Sequence, residues 1–570
     1  MILTFKVASD LPLLTKTPIG FVEDSIRRVL FISAVLCCLT GTSRAQTPAT
    51  ATDHALAKAA PEIKNGADVQ AAINATCNGT NPGRVTLPPG VLLVSATVSI
   101  PSKCSLLGAG LGRTVLRATN NFAPASPAAL LSVAEKKDVA LLNLTFDGNH
   151  PANGHLFTLL QIDSSTNVLV DDIHGMNSGN GVTVLRASSY VTIENSELER
   201  CGVPLPSADG GGVGISPGAS PLSHVRVADS RIHDNNQGIS LFNSSVPGNN
   251  VTDVSFIHNS VYSNANDGIN VTSSGHPTGG SIIGLHVEDN ETYCNGWTPN
   301  PSGGPGRMGF SSECAPGFFQ TGPDSPTGVG IDIVGPLTIQ TTVVGNRTHD
   351  NLFDGISDDA SLMITVSISN KTITWLSGPP FNRQWKFNQP VIIEGRYYHI
   401  TSIANDGSTL SVSPTLGPNA STTLFGPSVV HNSFVGNISW NNATGIFNQM
   451  ADGNSYVRNR SFHNALAGSY TNGGSYNEYT DDEAYSNSQN HAVANQGFAV
   501  NEGLSNRFHG IAADDPTTSP TQNYGIAIST GSVDTLIEDD HLVGTGGGRP
   551  VNNLAASTVW KKRKGPEAKQ

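Results

Sequence analysis

The chain has 570 residues, of which 60 are glycine, 34 are proline and only 14% are charged. No long amphipathic helical pattern is visible, and this composition suits many short strands joined by tight turns. The net charge of -13 and the scarcity of basic patches argue against nucleic acid as a partner. A neutral or cationic partner, or a metal-bridged anionic one, remains.

At the N-terminus, Arg27-Arg28 precede the apolar run Val29 to Leu39, and Ser43-Arg44-Ala45 offers a small-residue cleavage site before Gln46. This is the template of an export signal, and the run is too short to span a bilayer. Residues 1–45 are therefore read as a signal region with cleavage near Ala45 and 46–60 as a flexible lead-in. The mature protein is expected to be secreted or at the cell surface, not held by a membrane. Five cysteines follow the signal. In an exported protein Cys77–Cys104 and Cys294–Cys314 are plausible bridges closing local loops, which leaves Cys201 unpaired.

The segment Asp68-Val-Gln-Ala-Ala-Ile-Asn74 reads as a short helix with Asp68 as its N-cap. Next come Arg84-Val-Thr-Leu-Pro-Pro-Gly90, the apolar run Leu92 to Ile100, and Ser105-Leu-Leu-Gly-Ala-Gly-Leu-Gly112. A short helix, a V-x-L-P-P-G strand, an apolar strand and L-x-G-x-G together resemble the entry of the pectate-lyase-like superfamily. Its members include pectate lyases, polygalacturonases, alginate-modifying enzymes and phage tailspikes. The resemblance implies an all-β fold, a right-handed parallel β-helix with a short N-terminal capping helix; it says little about chemistry.

The middle of the chain repeats itself. His224-Val-Arg-Val-Ala-Asp-Ser-Arg-Ile-His-Asp-Asn-Asn-Gln-Gly-Ile239 is answered by Asp253-Val-Ser-Phe-Ile-His-Asn-Ser-Val-Tyr-Ser-Asn-Ala-Asn-Asp-Gly-Ile269. Each copy has a polar slot (Ser230, Asn259), an Asn five residues on (Asn235, Asn264) and then Gly-Ile. Such self-similarity marks a solenoid. The slots extend upstream to Leu144, Ile173 and Ser196, and downstream to Asn290, Asn346, Asn437, Asn459, Asp482 and Asn501. Gly-Ile or a variant recurs at Gly181, Gly214, Gly330, Gly355, Gly445 and Gly510. Equivalent positions of stacked coils form columns about 4.8 Å apart per coil, so the Asn column is expected to bond amide to amide and serve as scaffold.

Insertions into a repeat map to loops, often on the binding face. Loops enter at 203–213, 243–250, 272–281 and, longest, 296–329. The largest break, 361–427, carries its own alternating strands and reads as an inserted β-module between the coils of 61–360 and those of 428–550. Residues 551–570 are a polar basic tail.

Site candidates lie beside the long loop. Asp267 and Asp354 both precede Gly-Ile, on coils expected two rungs, roughly 10 Å, apart. Asp332 follows Ile331 on the coil between them and should point outward in one column with Ser240, Asn270 and Ser357. Paired carboxylates can run glycoside hydrolysis as acid and base, and crowding raises the pKa that an acid catalyst needs. Asp358 and Asp359 extend the acidic patch. Pectate lyases employ calcium to bridge a uronate, and that resemblance makes these two the candidate Ca²⁺ ligands, should the reaction be a lyase's; hydrolysis requires no cofactor. A second column, three residues after each slot, is His233, Tyr262, Tyr293, His349, Trp440, Phe462 and Tyr485. Exposed, it is a strip on which sugars stack; inside the turn, it is a packing ladder. Tyr262, Tyr293, Arg307 and His349 are the candidate groove-lining residues. The polygalacturonase motifs N-T-D, D-D, G-H-G and R-I-K are only partly echoed, and the pectate-lyase and mannuronan-epimerase motifs are absent. The expectation is a monomeric protein acting on an extracellular polysaccharide by hydrolysis or β-elimination. Its alternative is a non-catalytic surface or glycan-binding β-helix.

Overall fold

The structure, a computed structural model, describes residues 63–561 except 79, 123–128, 151, 153–156, 203–210, 219, 244–247, 274–278, 297–313, 315–327, 370–371, 379–380, 382–384, 417–419, 490–495, 516–520, 523, 539, 543–550 and 556. The signal region, the lead-in, Arg307 and the tail beyond Lys561 lie outside the described residues. Among the described residues no helix is long and apolar enough to cross a membrane.

The opening helix, α1, spans Gly66–Thr76, and its N-cap is Asn65, whose side chain accepts from the backbone of Ala67 and Asp68. Asp68 thus sits in the first turn, where an acid also favours the helix dipole, and is not the cap. Val69 and Ile73 are fully buried and close the first coil from above. A disulfide joins Cys77, at the helix C-cap, to Cys104 of the strand Cys104–Leu107.

From there the chain winds as a parallel β-helix. One wall is a 14-stranded parallel sheet running from Val98–Ser99 to Val551–Asn553. A second, 29-stranded sheet bends at the Asn corner and makes the remaining two walls, and a short pair, Ser428–Val429 with Ala451–Asp452, stands apart. Alternation decides which side chains fill the interior. Val225 pairs with Val254, and Ile232 with Val261, all four with at most 1% exposure. Downstream the filling changes from aliphatic to aromatic: Phe434, Tyr456, Tyr479 and Phe508 stack inside at 4.8, 4.6 and 4.4 Å between centroids.

The corners follow a rule. The residue before each slot (Asp229, His258, Asp289, Gly345, Gly436, Arg458, Asp481) takes a left-handed φ between 49° and 66°, which turns the chain sharply enough to bury the slot residue. Asn259, Asn290, Asn346, Asn437 and Asn459 each donate backbone N–H and side-chain Nδ2 to Oδ1 of the next slot, at 2.6 to 3.0 Å, ending on Asp482. The column five residues later runs from Cys201 and Asn235 to Asn487 and ends on Gln522. Cys201, a buried free thiol, is pushed up to about 12 by burial.

Two parts of the expected register slip. Asn501 is not a slot: it pairs with Asn472 on the outside of the 14-stranded sheet, and Asn506 belongs to a third column, Thr341–Asn432–Asn454–Asn477–Asn506. Glu483 pairs with Ala512, so the next coil falls out of the offset the shorter coils keep. Likewise Val182 pairs with Val213, so the upstream corner is Gly212-Val213, two residues before Gly214-Ile215.

The insert is a closed antiparallel barrel. Its strands are β1 (Leu362–Ser369), β2 (Thr372–Ser377), β3 (Pro390–Ile393), β4 (Arg396–Ile403), β5 (Thr409–Ser413) and β6 (Ala420–Gly426), ordered β1-β2-β5-β4-β3-β6. It has its own core, which includes Val366, Ile373, Val391, Leu410 and Leu424. The coils on either side pair as though it were not there: Ile356 meets Ile446, and Asn346 bonds Asn437 at 3.0 Å.

Candidate active site

The outer face of the 14-stranded sheet carries the carboxylates. Ile331 and Ile333 are buried, so Asp332 between them points outward, in register with Ser240, Asn270, Ser357, Phe447 and Tyr470. Two residues further along the strands, a second outward column holds Thr272, Val334, Asp359, Gln449, Asn472 and Asn501. At the corner leading into these strands, backbone bonds place Asp267, Val329, Asp354 and Thr444 on successive coils. Asp267 and Asp354 therefore lie two rungs apart with Asp332 on the coil between, where the repeat places them.

Their surroundings divide them. Asp267 is almost fully buried and accepts from the backbone N–H of Gly328 (2.8 Å) and Val329 (3.0 Å), so it holds the return of the longest loop. The Asn270 amide bridges Asp267 (2.9 Å) and Asp332 (3.5 Å). Asp332 has its carboxyl pushed well above the ordinary range, first by burial, then by the Asp267, Asp359 and Asp354 charges, against a hydrogen bond from Ser357. Asp354 is raised to about 7 by burial, opposed by hydrogen bonds from Thr444. Asp359 is also raised by burial, but Ser361 donates to it through N–H (3.0 Å) and Oγ (2.6 Å), and the Gln449 amide adds a third bond at 3.3 Å. Asp332, Asp354 and Asp359 all keep part of their surface open to solvent, which moderates the burial effect. Burial and three neighbouring charges thus all act to keep the proton on Asp332.

Asp332 and Asp359 are diagonal neighbours on adjacent strands, one coil and two positions apart, which puts them about 8 Å from one another. Asp358 is a correction. Consecutive strand residues face opposite ways, and its side chain lies inside the helix, accepting from Asn432 (3.2 Å) and Asn454 (2.6 Å). Asp358 and Asp359 therefore do not share a calcium ion. The group of described residues arranged as metal ligands is elsewhere: Glu199, His233 and Asp234, within 4.8 Å of one another.

The aromatic column is real, but it lies on another wall. His233, Tyr262, Tyr293, His349, Trp440, Phe462 and Tyr485 stack with centroids 4.2 to 5.6 Å apart and planes within 10°. Each inner ring spends both faces on its neighbours and shows only an edge outward. A sugar needs an open face, so Tyr262, Tyr293 and His349 form a packing ladder and not a stacking strip. Arg231 bonds the Tyr262 hydroxyl at 3.0 Å, and Arg347 lies over Trp440.

Sequence reasoning missed what the barrel adds. β4 lies against the same sheet, where His399 pairs with Glu502 at 2.7 Å and Gln389 bonds the buried Asp452. Tyr397, also on β4, has a buried hydroxyl with no hydrogen-bond partner. Burial raises its phenol well above the usual range, and the charges of Tyr470, Glu502 and Asp359 add to this. No sequence period relates residue 397 to residue 470, so only the folded insert could reveal this neighbourhood.

Residues 133–291 match the family model described as right handed beta helix region. Over that stretch the chain is similar to right-handed β-helix proteins, in keeping with its parallel coils. No curated protein sequence matches it. Among solved structures, it is similar to the A-module of the mannuronan C-5 epimerase AlgE4 of Azotobacter vinelandii, at 13% identity and TM-score 0.44, covering 88% of this chain and 98% of that one. The N-terminal fragment of bacteriophage phi29 gene product 12 gives 11% identity and TM-score 0.46, over 86% of this β-helix and 69% of that chain. Pectate lyase Pel9A gives 12% identity and TM-score 0.29, over 50% and 61%. At these identities the likeness is one of fold.

Proposed function

We propose that this β-helix is an exported glycoside hydrolase acting on an extracellular polysaccharide, with Asp332 as general acid and Asp359 as general base. The observation that carries the reading is the outward Asp332, kept protonated among three other carboxyls, on the same face as an Asp359 supplied with hydrogen-bond donors. Burial raises both carboxyls, but three neighbouring charges raise Asp332 further while hydrogen bonds to Asp359 oppose its rise, and unequal environments of this kind suit an acid and a base. A spacing of about 8 Å leaves room for a water and favours inversion at the anomeric carbon. Asp354 and Asp267 act on Asp332 through charge, and Asp267 also holds the backbone of Gly328 and Val329. Elimination is less well served: it takes a proton beside a carboxylate that a cation must neutralise, and the groups gathered here are carboxyls. Export is supported by the signal template and by two disulfides, Cys77–Cys104 and Cys294–Cys314.

The test is a polysaccharide panel read for new reducing ends and for the ultraviolet absorbance of unsaturated sugars. Reducing ends without absorbance, lost by at least about a thousandfold in Asp332→Asn, support hydrolysis. Absorbance on any substrate points to a lyase. Binding without either signal would make this a glycan-binding protein.

A further inference from the structure

Beyond Asp332 the outward column continues through Ser357 to Phe447 and Tyr470. These two rings differ from the packing ladder: their centroids are 5.5 Å apart, but their planes are tilted by 57°, so they are not stacked on one another. Both rings are half-buried. Beside them, the Asn501 amide bonds Asn472 at 2.9 Å, and the Tyr470 hydroxyl reaches Asn472 at 3.5 Å. Above them stands β4, with the Tyr397 hydroxyl shut off from water and unbonded. A buried hydroxyl without a partner is unfavourable by about 1–3 kcal/mol and calls for an explanation. A ligand hydroxyl entering between β4 and the sheet would supply the missing bond.

We propose that Phe447 and Tyr470 of the sheet, with Tyr397 of the inserted barrel and the Asn472–Asn501 amides, form a glycan subsite beside the carboxylates, and that it takes an uncharged sugar ring. This rests on the glycan-active reading above. Rings that do not stack on one another can turn a face to a sugar, and amides and phenols offer neutral donors and acceptors. The charges around the subsite are acidic, Asp359 and Glu502, and His399 is already committed to Glu502. A uronate would meet those carboxylates. Tyr397 is a specificity-determining residue here, and the barrel is a wall of the groove.

The test uses the full chain carrying Asp332→Asn, titrated calorimetrically with cellohexaose, xylohexaose, mannohexaose and hexagalacturonate. At least one neutral hexaose binds. Adding Tyr397→Phe weakens it about 3- to 10-fold, the loss of one hydrogen bond, and Phe447→Ala weakens it more. Tyr397→Phe leaves the melting temperature unchanged or raises it, since the hydroxyl has no partner to lose. Unchanged affinity in Tyr397→Phe, a fall in melting temperature of several degrees, or binding of hexagalacturonate alone would overturn the subsite. The two readings fail separately. If Tyr397→Phe weakens binding while the chain with Asp332 intact cleaves none of the panel, the subsite stands and the hydrolase falls; if that chain cleaves in an Asp332-dependent way while adding Tyr397→Phe to Asp332→Asn leaves affinity unchanged, the reverse holds.

Discussion

Asp482 stands where the repeat elsewhere places asparagine, and it accepts both bonds from Asn459 as an asparagine would. Burial raises its carboxyl to about 8, above the unfolded value near 3.9. The folded state therefore favours the protonated form, and that contribution is full at low pH and lost as pH rises through about 8. Asp482→Asn keeps the acceptor and adds an amide hydrogen like the one Asn459 gives to the Phe434 carbonyl. It should raise the melting temperature at pH 8.5 by several degrees and leave it nearly unchanged at pH 4, as thermal melts across pH will show. The proposed catalytic pair carries a second signed expectation. Activity should fall on the alkaline side as Asp332 loses its proton. Because the Asp354 charge helps keep that proton in place, Asp354→Asn should move the alkaline limb of the kcat/KM profile to lower pH. Residue by residue, the site was half legible. Asp332 could be placed because strand alternation and coil register both fix it. Asp358 and Asp359 read as a pair, although the same alternation sends them to opposite faces.

Among elements, the aromatic ladder shows why a column of the right residues was ambiguous. Register could say that His349 and Trp440 are neighbours, but not that their rings lie 4.2 Å apart and nearly parallel, which decides between packing and sugar binding. Trp440→Ala should therefore lower stability by roughly 1–3 kcal/mol, the scale of two aromatic contacts, while leaving glycan affinity as it was; denaturant unfolding and titration check this. The barrel makes the complementary case. Its strands could be read from their alternation, yet its closure and the placement of Tyr397 over Asp359 and Tyr470 depend on tertiary packing that no local pattern encodes. Replacing residues 361–427 with a short turn should leave the coils intact by circular dichroism, since Ile356 already pairs with Ile446. Glycan affinity should then fall at least as far as in Tyr397→Phe.

For the whole molecule, the fold was legible where coils are short and regular and slipped where they lengthen, as between Glu483 and Ala512. The ends depend on local closure. Cys77 and Cys104 are separated by 27 residues, and a bridge over such a loop stabilises by about 3–4 kcal/mol in the chain-entropy model. Cys77→Ser with Cys104→Ser should expose the α1 end to proteolysis before the central coils open, a sequence that timed digestion followed by mass spectrometry resolves.

The uninterrupted stacking across the insert also bears on how the chain finds its fold. Asn437 and Asn459 meet across 22 residues, whereas Asn346 and Asn437 meet across 91. Closing the longer loop as flexible chain costs about 1 kcal/mol more in entropy, and non-local pairing slows folding. A barrel that closes early brings residues 360 and 428 together and shortens that search. The insert would then act as a kinetic clamp, letting the coils propagate from one side of the interruption to the other.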